Sequence, residues 1–149
     1  MGAAAEIQRT LYATLRNDLT LRGLLASDDY EGSPTFPAVY DHVPHPDKAE
    51  DDTKFPYIHI GEWTSIEFDT DDTHGEESTV ALHVWDRREG KLRAKQIRDA
   101  VKSLLHDATL VIAGTNAIYC FFESSESVPD PEPFVQHEVI RFRIVTMDS

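Results

Sequence analysis

Apolar residues recur every four positions at Ile7, Leu11, Leu15 and Leu19, a stripe that drifts slowly around a helix. This spacing predicts an amphipathic helix over residues 4–25. Asn17 and Asp18 offer a break and a new cap, so Leu19, Leu21, Leu24 and Leu25 form a second short turn, and Gly23 weakens any single rod. A second helix is predicted over residues 91–106, where Ile97, Ala100, Val101, Leu104 and Leu105 share one face and Arg93, Lys95, Arg98 and Lys102 lie outside it. Residues 79–85 alternate as a strand, with Val80, Leu82 and Val84 on one face and Ala81, His83 and Trp85 on the other. Residues 135–147 do the same, placing Ile140, Phe142 and Ile144 opposite Arg141 and Arg143.

Shorter strands are predicted over residues 38–43, 55–63 and 116–124, with Pro56 near a strand start, where a missing donor is tolerated. Residues 64–77 read as a strand, marked by Ile66 and Phe68, that dissolves into an acidic hairpin tip. Residues 109–112 form a short apolar segment closed by Gly114. Residues 27–37 and 45–54 are loop-like, and 125–134, with three prolines and three acids, reads as a projecting loop of ten residues. The order predicts an α+β fold: a mostly antiparallel sheet with two main helices packed on one face, plus long hairpin and loop extensions. A chain of 149 residues has the length of one domain spanning 1–149.

Charge narrows the functional classes. With 27 acidic against 14 basic residues the formal charge is −13, which disfavours a surface that neutralises phosphates. The same charge suits a lumen that repels DNA and lets it slide. Cys120 is the only cysteine, set in an apolar run, so it is expected as a small buried hydrophobe with no internal disulfide. No apolar run approaches the roughly 18 residues of a membrane span, and the first residues lack the basic and apolar regions of a secretory signal. Glu6 stands where a myristoylation signal requires Ser or Thr.

Chemical motifs are sparse. His42 with His45, His59 with His83, and His137 are metal-ligand candidates, but they lack HExxH or CxxC companions. The acid-rich stretch 69–77 resembles a calcium loop in crowding only: Gly75 is seventh where a glycine should be sixth, and Val80 stands where a glutamate should close the loop. Asp41 with Glu62 is an acid pair without catalytic spacing, and no GxSxG or P-loop accompanies it. We therefore expect no catalytic residue, no metal site and no cofactor. Trp85 reads as core packing that anchors the helix on the sheet, while Arg87 and Arg88 form a basic turn open to a partner. Arg141 and Arg143 have two readings: cross-strand pairing with acids, or a charged seam between subunits.

Taken in order, these segments resemble the tail completion, or tail terminator, family of long-tailed bacteriophages and gene transfer agents. The resemblance is carried by the leading helix, Val39-Tyr40-Asp41-His42-Val43-Pro44, Phe55-Pro56-Tyr57-Ile58-His59-Ile60-Gly61, and Leu82-His83-Val84-Trp85 with Arg87 and Gly90. It continues through Ala94-Lys95, Ala100-Val101, Leu105-His106 and Phe122-Glu123-Ser124 to His137 and Arg141-Phe142-Arg143. Two departures are a long acidic spacer over residues 45–54 and Glu138 in place of a small residue.

The resemblance implies a structural, non-enzymatic virion protein that needs no cofactor. It implies a homo-oligomeric ring of six subunits that caps the tail tube, ends its polymerisation and joins the tail to the head connector. Its partners would be itself, the tail tube protein and head–tail connector proteins. DNA would pass through the lumen without sequence-specific binding, and no membrane is involved. The expected location is the tail or neck of the virion, after assembly in the host bacterial cytoplasm. Candidate inter-subunit or tube-docking residues are Asp69, Asp71, Asp72, Glu76, Glu77, Arg87, Arg88, Asp130, Glu132, Arg141 and Arg143. Alternatives are another neck or head-completion adaptor, or a small metal-dependent enzyme.

Overall fold

The computed structural model describes residues 3–27, 36–44 and 52–148. The leading stripe folds as two helices, α1 (Ala4–Arg16) and α2 (Leu19–Leu24). They divide where expected: Asn17 closes α1, and the Asp18 carboxylate accepts the Leu21 N–H at 3.0 Å to cap α2. Ile7, Leu11 and Leu15 are fully buried, and each contributes roughly 1.5–3 kcal/mol by leaving water. The third helix, α3 (Leu92–Leu105), buries Ala94, Ile97, Val101 and Leu105, the predicted face.

Among the described residues, five strands form one sheet in the order β1-β2-β3-β5-β4. They are β1 (Val39–Tyr40), β2 (Tyr57–Glu67), β3 (Gly75–Arg87), β4 (Thr115–Val128) and β5 (Val135–Asp148), with a 3-10 turn at Asp52–Lys54. The pair β1–β2 is parallel and every other pair is antiparallel. Ile58, Ile60, Val80, Leu82, Val84, Ile140, Phe142 and Ile144 face the helices and form the main core with α1, α2 and α3. The opposite face carries a second, smaller cluster of Ala38, Tyr40, Phe55 and Tyr57, against which Ala26, Val43 and Trp85 pack, and no helical residue joins it.

The structure corrects several expectations. Among the described residues three helices, not two, line the core face, because α2 packs against both α1 and α3. The predicted strand 38–43 shortens to Val39–Tyr40, since Pro44 ends it and only Ile58 and His59 of β2 are in register beside it. The ten-residue loop expected over 125–134 is strand over its first four residues: β4 runs to Val128, its residues paired with β5, which leaves 129–134 as the turn. In the expected strand and tip over 64–77, β2 runs to Glu67 and β3 begins at Gly75, with Glu67 paired to Glu76 and Ile66 to Glu77, leaving 68–74 as the tip. Trp85 does not anchor a helix, for it lies on the face away from α3. The loop readings at 28–35 and 45–51, His45 among them, lie outside the described residues.

Candidate functional site

The predicted docking residues fall into three groups rather than one site. The first is the β2–β3 tip. Asp69 accepts the Gly75 N–H at 3.1 Å and lies 3.3 Å from the His74 ring. The Gly75 hydrogen bond, and then His74, hold its carboxyl below the usual 3.8, so Asp69 shapes the turn as well as charging it. Thr70 and Thr73 hydroxyls both donate to Asp72, and Asp71 is exposed. A Cβ at Gly75 would meet Met147 Sδ at 2.4 Å and Thr146 O at 2.7 Å, which shows how closely β5 underlies the tip. Ile66 and Phe68 are large apolar groups left exposed beside these carboxylates. Glu76 turns back toward α1, accepting the Ala3 N–H at 3.1 Å, so it serves a helix start.

The second group lies at the far end of β3. Arg87 pairs with Glu132 at 3.1 Å, and Asp130 accepts the Glu132 N–H at 3.0 Å, so this turn is organised within the chain. Arg88 is exposed. Beneath them Asp86, fully buried, takes two hydrogen bonds from Arg93. The third group is on the helix-free sheet face: Arg141 pairs with Glu126 at 2.9 Å, while Arg143 reaches Glu77 only at 3.9 Å. Cross-strand pairing thus accounts for Arg141. Arg143 is less satisfied, since its buried Nε has no acceptor among the described residues.

Sequence reasoning missed the most organised polar cluster. The register between β2 and β3 shifts between Ile60 and Trp63, a bulge that brings Glu62 over His83 at 2.7 Å. Burial raises the Glu62 carboxyl, but the charge and hydrogen bond of His83 outweigh it and hold the group below its usual 4.5. His83 in turn contacts His137 at 2.7 Å, and His137 stacks on Trp85. The period-two pattern placed His83 and Trp85 on one face, but nothing local signalled the bulge. Three histidines, His59, His83 and His137, do come together, yet among the described residues no group of three or more His, Cys, Asp and Glu is arranged to hold a metal ion.

The sheet leaves two long edges with few partners. Beyond His59, β2 is paired on one side only. On the opposite side of the sheet β4 is the last strand. The end of α3 covers part of its edge: the Asp107 N–H donates to Cys120 O at 2.7 Å, and the Phe122 N–H to His106 Nδ1 at 3.0 Å.

The comparisons with known proteins follow this architecture. A chain in the solved structure described as "Virion of native gene transfer agent (GTA) particle" superposes with a TM-score of 0.80 and 21% identity, with 98% of each chain covered, which establishes a shared fold. No curated protein matches the chain. The family model described as "Tail completion protein gp17" matches residues 9–147. The chain belongs to this tail completion family, and its role is a structural one in assembling a phage-type tail.

Proposed function

We propose that copies of this chain close into a ring of six that caps the tail tube, ends its polymerisation and joins the tail to the head connector. The observation that carries this reading is a sheet whose two outer edges, β2 beyond His59 and β4 beyond Phe122, have no strand paired to them among the described residues. An exposed edge is a template for pairing, and two different edges on identical subunits make a head-to-tail contact that closes when the rotation is right. The tip carboxylates Asp69, Asp71 and Asp72 and the apolar Ile66 and Phe68 supply a docking element for the tube protein. Arg143, whose Nε has no acceptor among the described residues, fits a seam between neighbours better than Arg141 does. The excess of acid favours a lumen through which DNA slides. Assembly takes place in the bacterial host before the protein enters the tail or neck.

Light scattering on the purified protein, alone and with its tube protein, tests this reading. A closed oligomer near six copies, formed alone or on tube addition, supports it. A monomer that ignores the tube protein sinks it and favours another neck position, such as a connector adaptor.

A further inference from the structure

The chain of groups Glu62, His83 and His137 has no part in the ring reading. His83 has 12% of its side chain exposed and both ring nitrogens engaged at 2.7 Å, Nε2 with Glu62 and Nδ1 with His137. The fit is close: a Cβ at Gly61 would come within 2.5 Å of the His83 ring. His137 lies flat on Trp85, ring centroids 3.8 Å apart at 11°. Among the described residues, the other charged and titratable groups around this cluster are His59 from β2, Arg141 from β5 with its partner Glu126 from β4, and, lining a small cavity beside His137, Lys91, Asp130, Glu132 and Glu138, the last of these paired with Lys95.

Hydrogen-bond bookkeeping restricts the protonation states this geometry accepts. A carboxylate only accepts, so His83 Nε2 carries a hydrogen and donates to Glu62. The contact between the two rings then needs one donor and one acceptor. Two neutral rings satisfy it, with His137 Nε2–H donating to His83 Nδ1. One added proton, on either ring, also satisfies it without moving a heavy atom. With a proton added to both, two N–H groups face each other across 2.7 Å and the contact cannot persist.

We infer that Glu62, His83 and His137 form a proton-linked latch on the helix-free sheet face, which holds its shape through the first added proton and opens on the second, releasing His137 from Trp85. The proton comes from solvent and no other reactant is needed.

The test is a pH titration of the full chain by NMR, following the His83 and His137 ring signals and the Trp85 indole N–H. The expected result is that the ring signals shift in two steps and the indole moves only with the second, with circular dichroism unchanged. In His83→Gln, which keeps a donor toward Glu62 and removes the second ring, the indole transition is lost. Should that variant not fold, Glu62→Gln decides: without the carboxylate charge the second proton binds less readily, and the indole transition moves to lower pH. Independent titration of the two rings with an unmoved indole overturns the latch, as does an indole transition unchanged in a folded variant.

Discussion

At the residue scale, the largest single effects belong to groups that cannot relax. Asp86 is fully buried and held by Arg93, whose side chain is partly exposed. Arg93→Ala therefore strands a buried carboxylate and is expected to cost about 3 kcal/mol, read as a lower denaturant midpoint with unchanged slope. Gly61→Ala drives a methyl group into the His83 ring, for an expected loss of roughly 1–3 kcal/mol by the same measurement. Cys120, 1% exposed, has its thiol pushed up by burial from 9.0 to about 12. Because the folded value is the higher one, its stability contribution is complete below about 9 and is lost as pH rises toward 12. The thiol is expected to ignore a disulfide reagent at neutral pH until the protein unfolds. The apolar run around Cys120 announced this burial, whereas Asp86 reads in the sequence as one more acid in a basic turn.

At the element scale, helices were legible because their period is local. Ile7, Leu11 and Leu15 define a buried face whatever lies beyond it, and Leu11→Ala is expected to cost about 2–5 kcal/mol. Strand lengths were less legible. Residues 125–128 read as loop, with two serines and a glutamate, yet Lys95 and Arg98 of α3 bond to Ser127 and Ser125, and Arg141 holds Glu126. Those partners lie 32, 27 and 15 residues away, which a local window does not register. The hairpin tip yields a test that separates shape from charge. Asp69→Asn weakens the turn, whereas Asp71→Asn leaves stability unchanged and, with Asp72→Asn, reduces docking to the tube protein in a pull-down. Asp69 titrates below its usual 3.8, so its support for the turn is complete above about that pH and fades as pH falls through the lower folded value.

At the scale of the whole molecule, a formal charge of −13 predicts negligible retention of duplex DNA in a gel-shift assay at physiological salt. The sequence by itself determined the amphipathic faces of α1 and α3, the inward and outward sides of β3 and β5, the break at Asn17-Asp18 and the family likeness. All of these rest on hydrophobic periodicity or local capping, which a single segment carries. Only the tertiary structure decided the strand order, the one-residue bulge between Ile60 and Trp63, and the meeting of Glu62, His83 and His137. A bulge shifts every later side chain to the other face, and Glu62 and His83, which it joins, lie 21 positions apart, while His83 meets His137, 54 positions on, through the β3–β5 pairing, so the register was fixed by packing across the sheet and not by any one strand.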